Sequence, residues 1–314
     1  MLSLCLRSAR SLSTSADVPR VVGVVGLGLM GHGIAQTAAE KGFQVVAVDS
    51  ADAAVDRGMK MITDSVNKLA GKAVAKGVHT EEAAAAAAAD TLGRITSSTD
   101  LGSLADCDIV VEAIIEDVGI KQSFYSDLGR IVKPSGVFAS NTSSFEIGRM
   151  SEASGRPDKM IGLHFFNPVQ LMKLVEVVRT PTTSDESFEL GLRFGEALGK
   201  EVVACKDTPG FVVNRLLVPY IAQAIAMLER GDASKEDIDK AMRFGTGYPM
   251  GPITLADYTG LDTMLYILQG WAKNYPDEPS FIVPKLLDDM VSAGTLGRKT
   301  GQGFYKWEGN KKVE

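Results

Sequence analysis

The amino-acid sequence predicts an α/β protein: a doubly wound parallel sheet with an inserted helical hairpin, followed by an all-helical C-terminal domain. Three observations carry this. A β-branched run, Val21-Val22-Gly23-Val24-Val25, leads straight into Gly26-Leu27-Gly28-Leu29-Met30-Gly31. The next apolar run closes on an acid, Asp49, 23 residues after the first of those glycines. Beyond Asp207-Thr208-Pro209-Gly210 the strand-like runs give way to helical periodicity.

A chain of 314 residues is long enough for two domains, at roughly 150 residues each. The expected division is a leader over residues 1–16, a nucleotide-binding domain over 17–208 and a helical domain over 209–314. A net charge of −6 argues against nucleic acid or an anionic membrane as the main partner. No apolar run reaches the roughly 18 residues that cross a bilayer. Cys5, Cys107 and Cys205 are odd in number and lack metal-ligand spacing, so reduced thiols are expected, with no metal site. Residues 1–16 carry Arg7, Arg10, five serines and no acid, the composition of a mitochondrial transit peptide, which points to the matrix.

The first glycine-rich turn reads as a Rossmann-type phosphate site. Gly26 allows the tight turn, Gly28 lets a pyrophosphate approach the backbone, and Gly31 lets helix and strand pack closely; Leu29 and Met30 belong to the same turn. Asp49 is placed to take ribose hydroxyls and to repel a 2′-phosphate, so NAD is expected rather than NADP. His32, just inside the helix, reads as a helix residue. From Ala51 to Leu92 the pattern is helical, with Met59, Ile62, Val66, Leu69 and Val74 near 3.6 spacing before an alanine run. That is too long for one crossover helix, so a projecting hairpin is expected, with His79 in its turn. Ser65, Lys68 and Lys72 share one helical face, either a solvated face or a set of contacts to a phosphorylated ligand.

Asp108 to Glu116 reads as a later strand with Glu116 at its carboxyl end, where such sheets bind ligands. A helix through Phe124, Leu128 and Ile131 follows, then a strand from Val137 to Ser140 ending in Asn141-Thr142-Ser143-Ser144. Ser143 and Ser144 suit either an active site or the N-cap of the next helix.

The candidate base is His164. It closes the apolar run Met160 to Leu163, and Pro168 soon ends any pairing, which puts the imidazole at a strand end. Glu176 lies in a second strand-like run, Leu174 to Val178, twelve positions later. If the two strands are neighbours, the carboxylate holds one ring nitrogen protonated and leaves the other as an acceptor. Residues 184–199 read as a helix and Glu201 to Cys205 as the last strand. Helices are then expected from Phe211 to Arg230 with a kink at Pro219, after Ser234, and over 252–259, 261–273 and 281–293. Asn214 and Arg215 are the polar exceptions on the first of these.

Four motifs carry a family resemblance: Ala139-Ser140-Asn141-Thr142-Ser143-Ser144, Gly162-Leu163-His164-Phe165-Phe166-Asn167-Pro168, Lys206-Asp207-Thr208-Pro209-Gly210-Phe211 with Val213-Asn214-Arg215, and Gly247-Tyr248-Pro249-Met250-Gly251-Pro252. From about residue 20 to Trp307 the chain resembles the short-chain L-3-hydroxyacyl-CoA dehydrogenases of mitochondrial fatty acid β-oxidation. The resemblance implies NAD-dependent oxidation of an L-3-hydroxyacyl-CoA to a 3-oxoacyl-CoA, with His164 as base and Glu176 as its partner. It implies that Ser143 and Asn214 contact substrate, that Glu116, Lys121, Asn167 and Lys299 help Ser143 hold cofactor, and that the hairpin grips coenzyme A through Ser65 and Lys72. It also implies a homodimer through the helical domain. The alanine-rich second arm of the hairpin departs from the family pattern. Two other readings compete: a hydroxyisobutyrate-type dehydrogenase, which relies on a lysine and which residues 161–178 argue against, and a non-catalytic, crystallin-like NAD-binding protein on the same scaffold.

Overall fold

The computed structural model describes residues 18–313, so the transit peptide expected over residues 1–16 lies outside them. The chain divides into two compact units, one ending at Phe211 and the other beginning at Val212.

In the first unit, β1 (Val21–Val25) passes through the glycine-rich turn into α1 (Gly31–Glu40) and returns as β2 (Gln44–Val48). The hairpin is α2 (Asp52–Ala75) and α3 (Glu81–Gly93), the latter capped by Thr80, whose hydroxyl accepts from the N–H of Ala83. The short β3 (Ile95–Ser98) is mostly Thr and Ser, and so carries no apolar signal in the sequence. Next come β4 (Ile109–Glu112), α4 (Val118–Ile131), β5 (Val137–Ser140), the single turn α5 (Gly148–Ser151) and β6 (Met160–Phe165). The unit closes with β7 (Leu174–Arg179), α6 (Asp185–Ala197) and β8 (Glu201–Lys206).

All eight strands form one sheet in the order β3-β2-β1-β4-β5-β6-β7-β8. The first six run parallel; β7 is antiparallel to β6, and β8 is parallel to β7. The segment 166–173 between β6 and β7 is too short for the crossover that a parallel partner needs, so the chain turns back. Alternate residues feed the two faces. Val22, Val24, Ile109, Val111, Ile161 and Leu163 pack with α1, α2 and α6, while Val25, Val110, Phe138, Met160 and Val178 pack with α4.

One strand ends earlier than expected. The run from Asp108 to Glu116 leaves the sheet after Glu112, whose own carboxylate accepts from the N–H of Ile114 at 2.9 Å. A Cβ on Gly26 would lie 2.5 Å from the carbonyl oxygen of Ala113, so the turning chain uses the space that this glycine leaves. Glu116 therefore sits in the loop beyond β4, not on the strand.

The second unit holds α7 (Val213–Glu229), α8 (Lys235–Thr246), α9 (Pro252–Thr259), α10 (Leu261–Asn274) and α11 (Lys285–Ser292) around a core that includes Ile221, Ile225, Ile253, Leu268 and Trp271. Phe211 has a left-handed backbone (φ 53°), so α7 begins at Val213; it then continues through Pro219. Ser234 caps α8 by accepting from the N–H of Asp237, and α11 begins at Lys285 because the extended Pro284 is its N-cap. The expectation of an all-helical domain holds for this core. At its end a short antiparallel ribbon is added, β9 (Trp307–Glu308) with β10 (Lys311–Lys312). Buried Asp257 anchors that end by accepting from the N–H groups of Phe304 and Tyr305 and from the Trp307 indole. Among the described residues no helix is long and apolar enough to cross a membrane, and no group of His, Cys, Asp or Glu could hold a metal ion.

Candidate active site

His164 and Glu176 stand directly opposite each other across the β6–β7 pair. Side chains at opposed antiparallel positions share a face, with Cβ atoms about 5 Å apart, and here the Nδ1 atom of His164 lies 2.6 Å from Oε2 of Glu176. Both are buried. A carboxylate only accepts, so the Nδ1–H donates, and in the neutral ring this leaves Nε2 as the acceptor. Gly162, on the same face, is required by packing: a Cβ there would stand 2.7 Å from the Cβ of Val178. The rings of Phe166 and Phe211 flank the imidazole, with centroids 4.6 and 5.5 Å away.

Beside this pair, the loop after β5 is fixed by side chains from several elements. Asn141 accepts from the N–H of Phe165 through Oδ1 at 2.9 Å, fastening the loop to the strand that carries His164. The Oε1 atom of Glu116 gathers three donors: the Thr142 hydroxyl and the N–H groups of Ser143 and Ser144, the last two at 3.2 Å each. Burial pushes the Glu116 carboxyl up, yet the Lys121 ammonium and the Thr142 hydroxyl outweigh it, and its pKa is lowered. Neither serine caps α5. The N–H groups of Ile147 and Gly148 instead donate to Asp207, at 2.8 and 2.7 Å.

Lys121, a cofactor candidate, is held by two carboxylates. Its side chain is 1% exposed, with Nζ 2.5 Å from Glu112 and 3.1 Å from Glu116, so it lies behind Glu116. Cys107 and Cys205 are free thiols whose pKa values burial pushes up to about 12, which leaves them unreactive as nucleophiles at neutral pH.

The glycine-rich turn has the geometry of a phosphate cradle. The N–H of Gly26 donates to Val48 at 2.8 Å, and a Cβ on Gly31 would fall 1.7 Å from the carbonyl oxygen of Gly26. A Cβ on Gly28 would meet nothing within 4 Å, so that glycine leaves room for a ligand. Leu29 is exposed, Met30 half-buried, and α1 begins with no side-chain cap and no acid in its first turn, as suits an anion at a helix N-terminus. Asp49 accepts from the N–H of Leu27 at 2.8 Å, which aims its carboxylate beside the turn. Between β1 and β4 the strand order reverses, and a cavity of about 710 Å³ opens there, lined by Gly26, Gly28, Asp49, Ser50, Ile114 and Ser123. That is the switch-point crevice in which doubly wound sheets hold dinucleotides, and its residues fit one.

The remaining candidates are more dispersed. Asn167 is exposed just past β6. On α2, Lys68 and Lys72 are exposed and Ser65 half-buried, while Val55, Gly58, Ile62 and Val66 form the buried face. Asn214 lies in the first turn of α7. Lys299 lies in the turn Arg298–Thr300 of the second unit, where its ammonium pairs with Asp262. Arg215, next to Asn214 in the sequence, is engaged by Glu278 at 2.5 Å and lies over the Phe281 ring. Phe211 and Asp207 escaped sequence reasoning as parts of this site. Asp207 and Phe211 lie within a motif that marks the family, which was their available signal.

Residues 21–208 match the NAD binding domain of 3-hydroxyacyl-CoA dehydrogenase, and residues 210–307 match the C-terminal domain of the same family. The chain is 46% identical over 309 residues to the mitochondrial hydroxyacyl-coenzyme A dehydrogenase of Homo sapiens, with 98% of each chain covered. It is 48% identical over 285 residues to a probable 3-hydroxybutyryl-CoA dehydrogenase of Deinococcus radiodurans, covering 91% of this chain and 99% of that one. Among solved structures, the (S)-3-hydroxybutyryl-CoA dehydrogenase of Ralstonia eutropha superposes with a TM-score of 0.86 at 41% identity, over 92% of this chain and 99% of that one. With both of its domains matched in order, and close relatives aligned along nearly its whole length, the chain belongs to the 3-hydroxyacyl-CoA dehydrogenase family.

Proposed function

We propose that the protein oxidises L-3-hydroxyacyl-CoA to 3-oxoacyl-CoA with NAD, as part of fatty acid β-oxidation, with His164 as the general base. The observation that carries the assignment of the base is the 2.6 Å contact between His164 and the buried Glu176. Glu176 fixes the tautomer, so Nε2 takes the proton of the 3-hydroxyl, and the imidazolium that forms is stabilised by the carboxylate. NAD, when bound, supplies the acceptor for the hydride that leaves C3. Burial of the pair between Phe166 and Phe211 keeps water from His164 and strengthens its interaction with Glu176.

Ser143 and Asn214 donate hydrogen bonds to substrate oxygens and hold the reacting carbon in place. The cofactor is held by the turn from Gly26 to Gly31 and by Asp49, Glu116, Ser143, Asn167 and Lys299, with Lys121 supporting Glu116 from behind. Ser65, Lys68 and Lys72 on α2 meet the phosphates of coenzyme A; Lys68 and Lys72, as exposed cations on one face, suit that task. The composition of residues 1–16 and the mitochondrial relatives support a place in the mitochondrial matrix. A homodimer through the helical unit is the expected assembly.

The test is NADH absorbance on addition of acetoacetyl-CoA to the purified protein, with free acetoacetate and NADPH as parallel arms. Rapid oxidation of NADH with the CoA ester alone is the expected outcome. Equal rates with free acetoacetate would remove the coenzyme A grip, and the absence of turnover with NADH bound would remove the enzyme.

A further inference from the structure

We propose that Glu112 and Lys121 form a buried relay that positions Glu116 and, through it, the loop that carries Ser143. The inference rests on the reading of Glu116 and Ser143 as ligand contacts. The reaction has no evident use for Glu112, yet its side chain is fully buried at the end of β4, where a carboxylate is costly unless every oxygen is met by donors. Four donors reach it. Oε1 accepts from the N–H of Ile114 at 2.9 Å and from Lys121 at 2.5 Å; Oε2 accepts from Ser140 at 2.7 Å and from the Tyr125 hydroxyl at 3.2 Å. Tyr125 stays a donor, because burial, with Glu112 beside it, raises its pKa well above that of an ordinary phenol.

Lys121 divides its ammonium between this carboxylate and Oε2 of Glu116, 3.1 Å away. The other oxygen of Glu116 holds Thr142 and the N–H groups of Ser143 and Ser144. The path therefore runs from β4 and α4 to the loop after β5 through a continuous set of charge-assisted hydrogen bonds. At the far end Glu116 is about a third exposed, as a group that meets a ligand must be, while the two residues behind it have almost no contact with solvent. The charged and titratable groups facing Glu116 are Lys121 and Tyr125 from α4 and Glu112 from β4; the loop after β5 contributes the neutral Thr142, Ser143 and Ser144.

If the relay sets the charge of Glu116, removing the relay makes that charge depend on pH in the working range. The variant is Glu112→Gln with Lys121→Met, which deletes both buried charges together and avoids leaving one unpaired. Without the cation the Glu116 carboxyl protonates at higher pH, and its Oε1 then holds the Ser143 loop less firmly. The expected result is a loss of NADH affinity on acidification that begins about one to three pH units higher in the variant than in the wild-type protein, with affinity recovering at alkaline pH. A profile parallel to that of the wild-type protein, at whatever height, would overturn the relay.

Should the double variant fail to fold, Glu112→Gln alone decides. A fall of about tenfold or more in both NADH affinity and kcat/KM, in protein that still unfolds cooperatively, supports the relay, and wild-type NADH affinity and kinetics overturn it. Glu116→Gln tests the underlying reading separately. Unchanged NADH affinity and kcat/KM in that variant would remove Glu116 from the site, whereas an impaired Glu116→Gln beside an unmoved double variant would overturn the relay alone.

Discussion

His164 and Glu176 are register partners, paired across the antiparallel β6–β7 ladder so that their side chains meet at 2.6 Å on one face of the sheet. A slip of one residue would send the carboxylate to the opposite face. Replacing it tests what it does for the imidazole. Glu176→Gln keeps the shape but offers an amide that no longer stabilises an imidazolium. The expected loss in kcat is about 10² to 10⁴-fold, with NADH affinity and Tm little changed. A variant with undiminished kcat would strip Glu176 of its role.

Two glycines of one turn separate stability from ligand binding. A methyl group on Gly31 would collide with the Gly26 carbonyl, whereas one on Gly28 would meet no protein atom within 4 Å. Gly31→Ala should lower Tm and abolish NADH binding together. Gly28→Ala should leave Tm where it is and weaken NADH alone, by about 10 to 100-fold if the pyrophosphate lies against that backbone. Calorimetry and a fluorescence titration of both variants read this directly; equal NADH affinity in Gly28→Ala and the wild type would move the phosphates elsewhere.

If the hairpin lysines grip coenzyme A, they affect its binding and not the reacting carbon. Lys68→Ala with Lys72→Ala should raise KM for acetoacetyl-CoA several-fold, more at low salt than at high, with kcat unchanged. A truncated pantetheine thioester, which lacks the nucleotide phosphates, should show no such difference between variant and wild type. The same rise in KM with the truncated ester would mean that the hairpin is not the phosphate grip.

Asp108 staples the first strand to its neighbour. Its Oδ2 accepts from the N–H groups of Arg20 at 2.7 Å and Val21 at 3.0 Å, and its Oδ1 pairs with Lys133 at 2.5 Å. Burial pushes this carboxyl up, but Lys133 and the two N–H groups outweigh it and bring its pKa below the ordinary value of 3.8. A depressed folded pKa means stability that is fully present above the unfolded value and lost as pH falls through the folded one. Asp108→Asn should therefore lower Tm at neutral pH, and the gap from wild type should narrow once pH drops below about 4. A gap that stays constant across that range would show that the charge contributes nothing.

The parts of the site written in contiguous residues were legible. The β1 run, the three glycines and Asp49 fall within one short stretch, and each has a local reason to be what it is. His164 and Glu176 were readable because two short apolar runs lie close enough in sequence for their strands to pair. What failed depended on distant partners. Asp108 to Glu116 looked like one strand because Ala113, Ile114 and Ile115 are apolar, and only the turn around Gly26 shows why the ladder stops at Glu112. The pairing of Lys121 with the buried Glu112, nine residues before it, has no local signature in the sequence. Asp207 takes the N–H groups of Ile147 and Gly148 from some sixty residues away, so no local pattern distinguishes it from a turn residue. β3, at the sheet edge, is short and mostly polar, and gave no signal.

The central claim is that His164 moves the proton. The most direct measurement is the single-turnover rate of NADH oxidation by acetoacetyl-CoA in His164→Ala, beside a titration of NADH into the same preparation. The expected result is a rate about 10² to 10⁴-fold below wild type with NADH bound as tightly as before. A wild-type rate in that variant would contradict the assignment outright.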